Sequence, residues 1–438
     1  MALLQTWRGR VTSLAFVLAI GSVSSATADN WPSWRGPHGN GICDEGHVAY
    51  RWNRTENVAW RLALPGPGGS TPAVWEDRIF LTAVEGDELL LLCASTDGEE
   101  LWRRVVGVGN KNVRNDEGNF ASPSASTDGE FVWSMMSSGD IGCYDFDGEE
   151  VWKLDLQDRY GPFQISFGMT ATPVLYGDRL FLQLVHGDRK ADTHEARIVA
   201  LDKRTGAELW QAHRITGAYG ENELSYASPM LYDDTKMRFL VTHGADFVIA
   251  YDLNDGHEIW RCGGLNPHDD PKKRYHPTLR FVASPAMVPG MIVVPTAKNG
   301  PVIALRPHLM GDLTENADAY IWKRPDNTPD VPCPLIHDGL VYLCRENGNL
   351  ICLEAKTGQE LYQERTNRER HRASPVYADG RVYLTARDGK VTVVKTGRDF
   401  EILAQNDLEE PQSSSPAISN GTIYLRTFEA LWAIREPN

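Results

Sequence analysis

One eleven-residue pattern occurs twice in the middle of the chain, as Ala200-Leu-Asp202-Lys-Arg-Thr-Gly206-Ala-Glu-Leu-Trp210 and as Ala250-Tyr-Asp252-Leu-Asn-Asp-Gly256-His-Glu-Ile-Trp260. Both copies obey A-x-D-x-x-x-G-x-x-x-W. A small residue at the end of an apolar run reads as a strand end. Asp and Gly then shape a tight turn, and Trp lies on the strand that follows. A motif of this specificity returning in one chain makes internal repetition the first question.

Partial copies run through the rest of the sequence. Cys93 to Trp102 and Cys143 to Trp152 keep the pattern with one residue fewer in the turn, and Cys352 to Tyr362 replaces Trp by Tyr. An insertion separates Ala304 from Trp322, and the unit ending near Leu403 lacks the Trp. Each unit opens with a small residue and a proline: Thr71-Pro72, Ser122-Pro123, Thr172-Pro173, Ser228-Pro229, Ser284-Pro285, Cys333-Pro334, Ser374-Pro375 and Ser415-Pro416. Proline at the head of a strand costs no ladder bond. Asp338-Gly339, Asp379-Gly380 and Asn420-Gly421 sit between apolar runs, the strongest short-range hairpin signal.

Four strands over roughly 40–55 residues, repeated about eight times, predict an all-β, eight-bladed β-propeller of four-stranded antiparallel blades spanning 57–438. The count also predicts how the ring closes. The last unit stops after its third strand, at Leu431 to Arg435, while Val58 to Leu64 is a lone fourth strand carrying Trp60. The N-terminal strand is therefore expected to complete the last blade. Residues 29–56, with Trp31 and Trp34 ahead of a Gly-rich run, read as an irregular segment. Its loss from Trp31 to Gly46 is expected to cost less stability than loss of Asn57 to Leu64.

Residues 1–28 read as a signal peptide, with Arg8 and Arg10, an apolar run from Leu14 to Ile20 and a small-residue site at Ala26-Thr-Ala28. That run is too short for the roughly 20 residues a membrane-spanning helix needs. A periplasmic or secreted protein of the bacterial cell envelope follows, with no transmembrane segment. The first cysteine, Cys43, lies well beyond the cleavage site, so no N-terminal lipid anchor is expected. A net charge of −15 leaves no basic face for nucleic acid. The seven cysteines lack C-x-x-C or adjacent spacing, and three occupy the small-residue slot of the motif, so they read as packing residues with at most incidental disulfides.

With these residues in view, the chain resembles the pyrroloquinoline-quinone (PQQ) repeat propellers, in which A-x-D-x-x-x-G-x-x-x-W is the tryptophan-docking motif. The resemblance implies that Ala200, Asp202, Gly206, Trp210, Ala250, Asp252, Gly256, Trp260, Trp102 and Trp152 hold blade against blade. It implies two classes of function. Quinoprotein dehydrogenases carry PQQ and calcium over the central funnel and oxidise alcohols or sugars. BamB-like members, named for the lipoprotein subunit of the outer-membrane β-barrel assembly machinery, are scaffolds without catalysis.

The sequence offers no transferable reaction centre: no adjacent cysteines, no haem-attachment motif, no H-E-x-x-H after His194, and no G-x-S-x-G elbow. Asp252-Leu-Asn254-Asp-Gly256 begins like a calcium loop but lacks the downstream Glu and sits on the motif turn. The longest connections all fall on one face of the ring. They carry Arg114, Asp116, Glu117, His186, His213, Glu221, His243, His268, His276, Arg370 and His371, with Glu223, Asp269 and Asp270 nearby. Loops on a rigid scaffold carry function more often than its core does. The expectation is an exported, non-enzymatic, monomeric scaffold that binds an envelope or secreted protein partner through this face, without a cofactor. A PQQ- and calcium-dependent oxidoreductase is the alternative. A propeller binding a polysaccharide or small ligand through Phe120, Phe163, Phe167, Tyr226 and Phe281 is the second alternative.

Overall fold

In the computed structural model, Met1 and residues 30–113, 118–190, 195–266 and 280–437 are described. The signal-peptide segment beyond Met1, and the site candidates Arg114, Asp116, Glu117, His268 and His276 with His194, Asp269 and Asp270, lie outside them. The described strands form eight antiparallel sheets, seven of four strands and one with a fifth added in parallel. They are the blades of an eight-bladed propeller, numbered I to VIII here from Ala73.

Blade I is Ala73–Trp75, Arg78–Glu85, Glu88–Ser95 and Glu100–Val108, in that order outward from the channel. Blade VIII takes three strands from the C-terminus, ending at Ala430–Ile434, and its outermost strand, Val58–Ala63, from the N-terminus. The ring is thus closed by ladder hydrogen bonds between the two ends of the chain, as the complementary half-units predict.

The repeated motif has a direct geometric meaning. Its first residue lies across the ladder from its last: Ala200 faces Trp210, Ala250 faces Trp260, Cys93 faces Trp102, Cys143 faces Trp152 and Ala304 faces Trp322. A register shift follows that small residue in each case. The small side chain leaves room for the indole, and the bulge turns the outer strand so that the indole meets the next blade. There the Trp packs on the motif glycine. A Cβ added at Gly256 (φ +73°) would fall 2.5 Å from Trp210, and one at Gly206 (φ +68°) would fall 2.9 Å from Trp152. Trp60, Trp102, Trp152, Trp210 and Trp322 each donate Nε1–H to a main-chain carbonyl of the following blade, at 2.7–3.1 Å. The motif Asp shapes the turn: Asp202 Oδ1 accepts from the N–H groups of Arg204 and Thr205.

Trp260 departs from this scheme. The next unit carries the insertion instead of the motif turn, and the Trp260 indole is fully buried without an Nε1 partner. The insertion contributes Gly311–Asp312, which pairs in parallel with Glu258–Cys262 and covers the edge that Trp260 lies on. All seven cysteines are free and buried. Burial pushes the Cys93 and Cys143 thiols up to about 12, as packing residues rather than ligands. Asp338-Gly339, Asp379-Gly380 and Asn420-Gly421 each have positive φ at both residues, the primed turn their sequences demand.

Candidate partner-binding face and channel

The innermost strands surround the axis, and the residue two positions ahead of each one joins a closed circuit. Thr71 N–H donates to Ser124 Oγ (2.9 Å), Ser124 to Thr172 (3.1 Å), Thr172 to Ser228 (2.9 Å) and Ser228 to Ser284 (2.9 Å). Ser284 donates to Cys333 Sγ (3.1 Å), Cys333 to Ser374 (3.0 Å), Ser374 to Ser415 (2.9 Å), and Ser415 back to Thr71 Oγ1 (3.2 Å). Each unit's opening small residue thus supplies both a main-chain donor and a side-chain acceptor. Blade II corrects the sequence expectation. Its member is Ser124, following Pro123, not Ser122, because the strand Ser126–Thr127 starts two residues later than the Ser-Pro pair suggests. Ser122 instead donates to Asn119 O at the channel mouth.

On the loop face the channel opens into a space of about 200 Å³, lined by Phe167, Thr170, Tyr226, Arg280, Arg372 and small residues of the other blades. Phe167 packs on Tyr226 with ring centroids 5.7 Å apart, and Arg280 lies over Phe167 at 5.6 Å. Of the other funnel aromatics, Phe281 is buried against His243 and Phe163 packs on His186, so they belong to blade packing. Phe120 is half-buried beneath Lys111.

The histidines divide. His186, His243 and His371 are almost wholly buried, which corrects the expectation that they display side chains to a partner. Burial holds His186 and His371 down to about 4 and His243 to about 3, so all three are neutral at pH 7. His371 Nδ1 pairs with Glu369 O at 3.0 Å. His213 is exposed on the last strand of blade III, Glu221 is half-buried in a short turn at Gly220–Glu223, and Arg370 is exposed. Glu223 is buried, its carboxylate accepting from Arg189 N–H.

Sequence reasoning missed a carboxylate pair beside Arg370. Burial first, and then Glu346, raise the Asp330 carboxyl to about 6. Glu346 is partly buried too, yet Arg372 at 3.2 Å, Lys298 at 3.6 Å and Arg370 at 3.9 Å hold it ionised. Asp330, Glu346, Lys298 and Arg370 border a second depression of about 300 Å³, with Arg345 and Arg368 at its edge. No spacing signal could have found it, because its members come from three blades. Among the described residues, the one cluster able to offer three metal-ligand atoms is Asp252, Asp255 and His257. It lies on the motif turn, where Asp252 accepts from Asn254 N–H and Asp255 from His257.

The opposite face is closed by the N-terminal segment. Arg35 enters the channel, donating to the carbonyls of Pro375 (3.0 Å), Pro334 (3.2 Å) and Asn40 (2.8 Å). Burial lowers its pKa, and the three carbonyls are what compensate for the desolvated charge. Among the described residues, no helix is long and apolar enough to cross a membrane.

The family model for the outer membrane protein assembly factor BamB matches residues 93–262, 137–309 and 309–435. No curated protein matches. BamB from Moraxella catarrhalis is 14% identical at a TM-score of 0.58, over 84% of this chain and 95% of that one. The quinohemoprotein alcohol dehydrogenase ADHIIG from Pseudomonas putida HK5 is 11% identical at a TM-score of 0.61, over 94% and 82%. The computationally designed Ika8 protein is 13% identical at a TM-score of 0.58, over 90% and 99%. At these identities the likeness is one of fold.

Proposed function

The chain belongs to the family of the outer membrane protein assembly factor BamB, and from that membership we propose a non-enzymatic propeller scaffold of the cell envelope that binds a protein partner through its loop face. The observation that carries this is the channel mouth. Its space of about 200 Å³ falls below the roughly 300–1,000 Å³ of small-molecule sites. Its described lining residues favour this reading over a calcium–quinone centre. They are two arginines, aromatics, hydroxyls and small apolar groups, with no carboxylate for a cation. The nearby Asp330 and Glu346 are engaged with each other and with Lys298, Arg370 and Arg372.

The partner-facing surface is then the rim, with exposed His213 and Arg370 and half-buried Glu221, around an arginine-lined mouth suited to a partner's carboxylates. A photo-crosslinking residue placed at Arg370 or Glu221 in intact cells should give one discrete envelope-protein adduct. The same residue at Glu76, on the opposite face, should not. Equal adducts from both faces, or none, would reject a loop-face partner. Dye-linked oxidation of alcohols or sugars above a no-protein blank, after addition of PQQ and calcium, would reject the non-enzymatic role.

A further inference from the structure

The N-terminal segment does more than block the channel: it adds main-chain bridges to the free edges of innermost strands. In blade I, Val74 exchanges both N–H···O bonds with Trp31, at 2.7 and 2.9 Å. In blade VII, Tyr377 N–H donates to Gly41 O, and Tyr377 O accepts from Cys43 N–H, both at 2.9 Å. In blade II, Thr127 N–H donates to Pro32 O. Each of these residues stands three places beyond its blade's member of the hydrogen-bonded circuit. Its main-chain groups point away from its own sheet.

The same position in blades III, IV and V is Leu175, Leu231 and Met287. Each has the register of Val74 and Tyr377, at the middle of a short innermost strand opposite Leu180, Leu240 and Ile292. Alternation along the strand therefore aims their N–H and C=O groups towards the axis. Among the described residues, none of the three has a main-chain partner on that side. All three are half-exposed, as is the bridged Tyr377, whereas their counterparts Val74, Ile336 and Ile418 are buried. They share one groove of about 660 Å³ between the N-terminal segment and blades III to V, walled also by Trp34 and Met230.

We propose that this groove, on the face opposite the loops, binds an extended, predominantly apolar peptide segment of a partner by main-chain pairing to Leu175, Leu231 and Met287. The chain's own N-terminal segment sets the precedent: its two ends, Trp31–Pro32 and Gly41–Cys43, bridge the equivalent edges of blades I, II and VII, with a run of turns between them. An unpaired strand edge is a template for such addition. The walls select apolar side chains, while the bridges impose extended backbone. The proposal is independent of the loop-face partner.

The test uses the full chain and a dye-labelled, end-blocked hexapeptide of alternating valine and threonine. In the free protein, the amides of Leu175, Leu231 and Met287 should exchange hydrogen faster than those of Val74 and Tyr377. Peptide should slow the three by about tenfold or more, the scale of one gained hydrogen bond each, and leave Val74 and Tyr377 unchanged. A peptide N-methylated on alternate residues should lose the effect. Leu231→Pro should weaken binding by about tenfold with the thermal midpoint retained, since this N–H makes no ladder bond. Absence of peptide-dependent protection overturns the proposal, and so does equal binding of the N-methylated peptide. Faster exchange at Val74 and Tyr377, which marks displacement of the N-terminal segment, also overturns it. If Leu231→Pro does not fold, the N-methyl comparison decides alone.

Discussion

Ser415 N–H donates to Thr71 Oγ1 at 3.2 Å across a separation of 344 residues. This bond closes the inner circuit at the blade VIII–I joint, where the outer wall is sealed by Val58–Ala63 pairing with Ala430–Ile434. Inner and outer closures fail differently. The ladder can be lost residue by residue, but the circuit has one acceptor per joint. Thr71→Val should leave the buried Ser415 N–H without a partner and cost about 1–3 kcal/mol in urea unfolding. Thr71→Ser, which keeps the acceptor, should cost less than about 1 kcal/mol. Equal midpoints for the two variants would show that the circuit contributes nothing.

Arg35 alters the expected ranking of the N-terminal deletions. Trp31 is buried and the Arg35 guanidinium satisfies two carbonyls of the ring, Pro334 and Pro375, and one of its own segment, Asn40, so the segment is part of the core. Arg35→Met keeps an apolar stem but strands these carbonyls, and should cost about 2–4 kcal/mol. Removal of Trp31 to Gly46 should then approach the cost of removing Val58–Ala63. Chemical denaturation of both deletions decides. A Trp31–Gly46 deletion with the wild-type midpoint would return the segment to a peripheral role.

What the sequence revealed and concealed follows from range. The turn at Asp338-Gly339 and the Ala200–Trp210 motif are local, and each residue type is dictated by a backbone angle or by the indole it must clear. The half-blade at Val58 was legible because Trp60 lacked a preceding turn. The circuit was half-visible: its small residues stood out, but their partners lie 41–56 residues away in neighbouring blades, or 344 at the seam, and the slip from Ser122 to Ser124 is invisible without pairing. His243 and His213 look alike in sequence. Only the packing of Phe281 on the His243 ring separates a core residue from an exposed one. Arg35 had one faint signal, a lone cation that follows Trp31 and Trp34 and is flanked by Pro32 and Pro37 in a Gly-rich stretch.

Trp210 and Gly256 form one unit across a blade joint. Trp210→Ala should cost about 3–5 kcal/mol. Gly256→Ala should also destabilise, because φ is +73° and the new methyl meets the indole. With the indole gone the steric part vanishes and only the backbone part remains, so the double variant should lose less than the sum of the single losses. Urea midpoints of the four proteins in this cycle measure the coupling. Strict additivity would mean that Trp210 does not rest on Gly256.

Acid should weaken the fold through the three buried histidines. Their folded-state values, about 4 for His186 and His371 and about 3 for His243, lie below the ordinary value of about 6.5. Between these limits the unfolded chain binds more protons, so this contribution is complete above about pH 6.5 and falls as pH drops towards 4. Asp330 acts in the opposite sense. Burial raises it to about 6, so between about pH 4 and 6 the folded state binds the extra proton and stability falls as pH rises. Three groups against one give a net loss of stability from pH 7 to pH 5, read as a falling urea midpoint. Asp330→Asn, which removes the opposing group, should steepen that fall, and His243→Asn should make it shallower. A midpoint that is flat from pH 7 to 5 in the wild type and in Asp330→Asn would mean that these rings are not held neutral by burial.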